Sequence, residues 1–224
     1  MRDLGVEGVG GAVVANQREH GIALGQIQCP GVAMRFDRNA EIFGAGEAAE
    51  YLYKVVSGAV RTVRFSADGR RQIMAFHMAG DTFGLERGAQ HEYSAESVTD
   101  CELIAVRRSL VQRAAAENIG AAQALLQLSV SQLERAQEHV LLLGRKGAGE
   151  RVAGFLLGLA DRFTVRGELD LPMSRLDIAD YLALTIETVS RAFTQMERDH
   201  AIELPSSRHV VVCNRGALEM LQAA

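Results

Sequence analysis

From Ile119 to Leu143, apolar or small residues recur at alternating steps of three and four: Ile119, Ala122, Leu126, Ser129, Leu133, Ala136, Val140 and Leu143. A strand repeats its faces every second residue, so this spacing requires a helix of several turns carrying one seam. Gln123, Gln127, Glu134, Arg135 and Glu138 flank the seam as a two-helix pairing needs, and dimerisation is its simplest use. The alternative is a helix that lays its stripe on its own domain. Leu125, Leu128, Leu141 and Leu142 widen the stripe enough for both contacts. Gly144-Arg145-Lys146-Gly147-Ala148-Gly149 then breaks helical continuity and is expected to form a hinge. The chain therefore divides into residues 1–116, a helix over 117–144, and residues 145–224.

Ahead of the helix, Val32 to Val106 alternates short β-type runs with glycine turns at Gly46, Gly58, Asp68-Gly69 and Gly80-Asp81. Tyr51–Val56, Ala59–Phe65 and Gln72–Phe76 read as strands, and Asp68-Gly69 as a hairpin turn. Many short antiparallel strands at this spacing predict a double-stranded β-helix (jelly-roll) or similar sandwich, either packed solid or enclosing a small ligand. His77, His91 and Glu86 are the candidate metal ligands of such a barrel, but no His-x-His pair is present and no metal is expected.

Composition narrows the setting. No run approaches the ~20 apolar residues of a membrane span, and Met1-Arg2-Asp3 opens no apolar signal core, so a cytoplasmic protein is expected. Cys29, Cys101 and Cys213 have no pairing pattern and fit a reducing compartment, with Cys213 expected to be buried. The net charge is −4, and the ten lysines and arginines from Arg145 to Arg215 are matched by ten carboxylates. Any nucleic-acid contact must then come from locally clustered arginines.

The C-terminal part supplies such a cluster. Glu150 to Phe163 reads as a supporting helix with Val152, Phe155, Leu156, Leu159 and Phe163 on one side. Ser174 caps a short helix running to Leu182, with Asp177 in the capping-box place, and Ala183-Leu184 make a turn. Thr185 caps a second helix, from Ile186 to about His200, with Ile186, Val189, Phe193 and Met196 facing inward. Glu187, Thr188, Ser190 and Arg191 face outward. A carboxylate accepts from cytosine N4, and an arginine donates two bonds to guanine O6 and N7, so Glu187 and Arg191 can read neighbouring base pairs. Spacing alone equally describes an ordinary i,i+4 ion pair. The context favours base reading: two capped helices joined by a short turn, followed by a hairpin of Ala201–Leu204 and Arg208–Cys213 that forms a wing. Ser174, Arg175, Thr185, Ile186, Thr188 and Arg208 stand where backbone contacts and positioning are expected.

The run from Ser174 to Arg191 resembles the superfamily of bacterial transcription regulators that includes the catabolite activator protein CRP and the oxygen regulator FNR, and the likeness extends from about Pro30 to Asn214. The resemblance implies an α+β architecture: a cyclic-nucleotide-binding-like roll, a dimerisation helix and a C-terminal winged helix-turn-helix. It also implies that Glu187, Ser190 and Arg191 contact bases of a TTGA-N-TCAA-type palindrome, Ser190 being the mark of the FNR and FixK branch. Ala183 replaces the family's turn glycine, a change that an αR position would absorb.

Two departures separate the chain from ligand-bearing members. Tyr93-Ser94-Ala95 stands where cyclic-nucleotide binders carry Arg-Ser-Ala, which would leave a cyclic phosphate unpaired. Cys29 and Cys101 fall short of the four thiolates of an iron–sulfur cluster. FixK-like proteins lack the cluster, and Phe83-Gly84-Leu85-Glu86 and His91 to Glu96 are similar to that subgroup. Met173-Ser174 occupies the place of the redox cysteine that some of them carry. The resemblance implies a homodimeric activator that binds double-stranded DNA and touches RNA polymerase, without a cofactor. A regulator of the same fold gated by an unidentified small effector is the alternative. No nucleophile elbow, phosphate loop or paired metal ligands suggest an enzyme.

Overall fold

The computed structural model describes residues 13–14, 20–144, 147–163 and 167–223. Met1 to Asp3, and Arg145 and Lys146 of the expected hinge, lie outside the described residues. The chain forms two compact units that divide between Leu133 and Glu134, inside the long helix and not at its ends.

The first unit contains strands β1 (Val13–Val14), β2 (His20–Leu24), β3 (Ile27–Phe36), β4 (Glu41–Phe43), β5 (Tyr51–Ser57), β6 (Ala59–Phe65), β7 (Arg71–Met78), β8 (Thr82–Phe83), β9 (Ser94–Ser97) and β10 (Cys101–Arg107). They build two antiparallel sheets. One has the order β1-β3-β10-β5-β8 with β2 paired to β3, and the other β4-β9-β6-β7. The predicted β5, β6 and β7 are all present, and β6 has the bounds read from the sequence.

Strand β10 explains why its sequence is apolar on both faces. Cys101, Leu103 and Ala105 join the core between the sheets, with Phe36, Phe43, Tyr53 and Phe83. Ile104 and Val106 point to the other side, into a second core shared with Val111 and Ala121 of the following helices. A strand covered on both sides reads as a continuous hydrophobic run. Gly58, between β5 and β6, has φ of 82°, and a Cβ there would meet the Asp100 carbonyl oxygen at 2.4 Å, so only glycine fits this turn.

After β10 comes a helix the sequence reading did not contain, α1 (Arg108–Glu117), and then α2 (Ile119–Leu143). Leu125 of α2 packs on the second core, and the Gln132 side-chain amide donates to the Thr82 carbonyl at 2.9 Å. One position further round, Ile119, Leu126, Leu133 and Val140 are 81%, 63%, 57% and 68% exposed. Ala136 is also exposed, while Ala122, Ser129 and Leu143 are half-buried. The heptad seam is thus largely uncovered within the chain, and the neighbouring stripe does the intramolecular packing.

The second unit contains α3 (Ala148–Phe163), β11 (Glu168–Asp170), α4 (Arg175–Leu182), α5 (Ile186–Arg198), β12 (Ile202–Glu203), β13 (His209–Val212) and α6 (Arg215–Ala223). α3 begins at Ala148, so Gly149 belongs to its first turn and not to a hinge. Val152, Phe155, Leu156 and Leu159 are buried as expected, whereas Phe163 is 37% exposed. The three short strands form one antiparallel sheet in the order β11-β13-β12, with β11 a third strand beside the predicted hairpin. α6 also went unread, although Asn214 gives its start a side-chain acceptor for the Ala217 amide at 3.0 Å.

Candidate nucleic-acid interface

The interface is built on the α4–α5 pair. Ser174 and Asp177 form the full capping box: the Asp177 amide donates to Ser174 Oγ at 3.1 Å, and the Ser174 amide donates to Asp177 Oδ2 at 3.0 Å. α4 closes with Ala183 at φ 52° and ψ 48°, whose amide donates to the Ala179 carbonyl. This corrects the expected αR turn. Ala183 is left-handed, a conformation that favours glycine, and a Cβ there costs about 1–2 kcal/mol.

Thr185 then caps α5, accepting from the Thr188 amide at 3.3 Å. Val189, Phe193 and Met196 are buried beneath the helix, while Glu187, Ser190 and Arg191 are exposed on the opposite side. Ile186, expected to face inward, is 39% exposed because it occupies the first turn at the edge of the stripe. Arg191 does not simply pair with Glu187; its Nη2 lies 3.4 Å from Thr188 Oγ1, which in turn is 3.0 Å from Thr185 Oγ1. The Glu187 carboxyl is held below its ordinary value by its own backbone amide and then by the Thr185 hydroxyl, with Arg191 a smaller influence. Glu187 is therefore an ionised acceptor at the start of α5, and Arg191 presents its fork from the next turn.

Arg175 takes an unexpected position. Its guanidinium lies over the Phe193 ring, 3.2 Å from the centroid, and Nη1 has no hydrogen-bond partner among the described residues. Burial pulls its pKa down to about 10. Stacking on Phe193 turns the charge onto the helix pair, so contact with a phosphate requires the side chain to swing out. At the wing, Ser206 Oγ accepts from the amides of Arg208 and His209 at 3.3 and 3.1 Å, and the Leu171 amide donates to the Arg208 carbonyl at 2.7 Å. His209 Nδ1 lies 2.7 Å from Asp170 Oδ1, tying β13 to β11.

Residues 150–221 match the Crp-like helix-turn-helix domain, and residues 33–118 match the cyclic nucleotide-binding domain. The nitrogen fixation regulation protein FixK of Azorhizobium caulinodans is 51% identical over 193 residues, covering 84% of this chain and 78% of that protein. The chain belongs to the CRP/FNR family of transcription regulators. FixK of Rhizobium meliloti is 40% identical over 192 residues, covering 86% of this chain and 88% of its own. The structure of FixK2 from Bradyrhizobium japonicum is similar with a TM-score of 0.83 at 45% identity, covering 87% of this chain and 98% of that one. The jelly-roll and helix-turn-helix fold read from the sequence is the fold of these relatives.

The core between the two sheets of the roll is packed with aromatic rings. Phe43 lies 5.5 Å from Tyr53, 6.1 Å from Phe83 and 5.9 Å from Tyr93, centroid to centroid. His91 stacks on Phe43 at 3.5 Å and its Nδ1 is 2.7 Å from Glu86 Oε1, so the pair forms a closed buried contact. His77 stacks on Phe83 at 5.0 Å, apart from that contact. Ser94 Oγ accepts from the Ala45 amide at 2.9 Å, and the guanidinium of Arg61, buried in β6, is held by Glu96 at 2.7 Å. These residues do not fit an anionic cyclic nucleotide. Nor do the thiols fit a cluster: Cys29 and Cys101 belong to separate cores on opposite sides of the β3–β10 sheet. Cys213 is exposed, which corrects its expected burial, because β13 ends at Val212 and leaves it beyond the sheet.

Two site residues escaped the sequence reading altogether. His139 of α2 and Arg151 of α3 donate to the carbonyls of Tyr181 and Leu182 at 2.8 and 3.1 Å. Each reads as a polar interruption of an apolar stripe, and only the fold reveals the common target.

Proposed function

We propose that two copies of the chain pair along the α2 seam and set one α5 into each of two successive major grooves of a TTGA-N-TCAA-type palindrome. Glu187, Ser190 and Arg191 read base edges. Ser174, Arg175, Thr185, Ile186, Thr188 and Arg208 position the helix on the sugar–phosphate backbone, across half-sites ~34 Å apart. The observation that carries this reading is the two-sidedness of α5. Its buried face is apolar, while Glu187, Ser190 and Arg191 stand exposed in its first turns, where a recognition helix meets the bases.

Pairing is supported by the uncovered seam. Burying a leucine or isoleucine side chain stabilises by about 1.5–3 kcal/mol, and four such apolar positions recur along α2. The aromatic filling of the roll supports a regulator that binds DNA without cyclic AMP and without an iron–sulfur cluster. Activation through a roll surface that touches RNA polymerase completes the reading, which places the protein in the cytoplasm with the DNA.

A mobility shift tests it, using aerobically handled protein without ligand on the palindrome and on a duplex with both half-sites scrambled. Tight, selective binding is the expected result. The match of residues 33–118 to the cyclic nucleotide-binding domain favours a second reading, a regulator gated by a small effector other than cyclic AMP. Binding that emerges only after a metabolite fraction is added would select that reading.

A further inference from the structure

The turn between α4 and α5 is held by donors from outside the two helices. The last-turn carbonyls of a helix lie beyond the reach of its own amides and need other partners. In α4 the Ala179 carbonyl accepts from the amides of Ala183 and Leu184, and the Tyr181 and Leu182 carbonyls take side chains: His139 Nε2 donates to the Tyr181 carbonyl at 2.8 Å, and Arg151 Nη1 donates to the Leu182 carbonyl at 3.1 Å. The His139 ring also lies flat on the Tyr181 ring, 3.9 Å between centroids and 3° between planes, and the Phe155 ring is 5.7 Å from that of Tyr181, tilted at 56°. His139 is 8% exposed. Directly after these two carbonyls comes Ala183, left-handed without being glycine, and then the cap of α5.

We propose that His139 is a positioning residue for DNA recognition: as a hydrogen-bond donor from α2, it fixes the C-terminus of α4 and so the angle at which α5 leaves the turn. The inference rests on the reading of α5 as the base-reading helix. A carbonyl acceptor requires that Nε2 carry the proton, and the flat stack on Tyr181 allows the ring little rotation. Without this donor the Ala183 turn relaxes towards ordinary backbone angles, and a small rotation there is magnified along the α5 axis. Non-specific attraction to phosphates tolerates that rotation, but base-edge hydrogen bonds do not.

The test compares His139→Leu and His139→Gln in the full-length chain, since glutamine keeps an N–H donor within reach and leucine keeps only the bulk. His139→Leu is expected to lose roughly tenfold in affinity for the palindrome, the equivalent of one hydrogen bond, while binding to the scrambled duplex changes less than about twofold. His139→Gln is expected to recover most of that loss. If the leucine variant shows no cooperative unfolding transition, His139→Asn, too short to reach the carbonyl, replaces it in the same contrast with glutamine. Unchanged selectivity overturns the inference, and so does a glutamine variant that recovers nothing. Arg191→Ala on the same duplexes separates the two levels. If it too leaves selectivity intact, the reading of α5 has failed; if it alone abolishes selectivity, only the role of His139 has.

Discussion

Ser174 and Asp177 cap each other: each amide donates to the other's side-chain oxygen, at 3.0 and 3.1 Å, and Ser174 Oγ also donates to Asp177 Oδ2 at 2.8 Å. Asp177 is 5% exposed, so its carboxylate is committed to this turn and turned away from solvent. Asp177→Ala is expected to destabilise the second unit by about 1–3 kcal/mol, as a lost cap that strands buried donors. Urea unfolding followed by circular dichroism reads the loss, and an unshifted midpoint would show the box to be dispensable.

Ala183→Gly is expected to do the opposite. Releasing a left-handed alanine gains about 1–2 kcal/mol, and the greater freedom of glycine in the unfolded chain takes back about half, for a net stabilisation near 0.5–1 kcal/mol. A melting temperature that falls on substitution would contradict the observed φ of 52°.

Arg191 and Arg208 should differ in kind. Removing a guanidinium that reads a base weakens specific binding by about 1–3 kcal/mol and relaxes the preference at one base pair. Removing one that meets a phosphate weakens all sequences alike and shrinks the salt dependence by about one counterion. Titrations of Arg191→Ala and Arg208→Ala at several salt concentrations, on matched and mismatched duplexes, separate the two. A sequence-selective loss for Arg208→Ala would remove it from the backbone set.

Leu133 is 57% exposed in the protomer, so Leu133→Glu has little folded contact to break and is expected to leave the unfolding transition of each protomer near wild type. In a dimer the same change strikes the seam twice. Losing two buried leucines and adding opposed carboxylates weakens association by about a hundredfold or more. Sedimentation analysis decides the matter: a variant that stays as associated as wild type rules out the seam as the pairing surface.

The three cysteines should separate by reactivity. Burial, aided by the charge of Asp100, pushes the Cys101 thiol up to about 11, and burial also raises Cys29. At pH 8 a thiol with pKa near 11 is only about one-thousandth thiolate, the reactive form, and that fraction rises tenfold per pH unit. Iodoacetamide at pH 8 is therefore expected to label exposed Cys213 first and the two buried thiols only on unfolding. Rapid labelling of Cys101 in the native protein would mean that the roll opens.

Local chemistry made much of this protein legible in advance. The heptad spacing from Ile119 to Leu143, the bounds of β6, the Ser174–Asp177 box and the Thr185 cap are all set by residues within a few positions of one another, so the sequence alone determined them. The outward placement of Glu187, Ser190 and Arg191 followed from the same helical period. What the period did not carry was the environment of each side chain. Arg175 folds over Phe193, Ala183 takes a left-handed turn, His91 closes on Glu86, and His139 and Arg151 converge on the end of α4. Arg175, His139 and Arg151 depend on partners brought from elsewhere by packing, while the Ala183 turn and the Glu86–His91 contact are nearby in sequence but follow no helix or strand period. Helix and strand periods are short-range and survive in one dimension, whereas hydrogen-bond satisfaction and burial are settled by whichever groups the tertiary fold brings within about 3 Å.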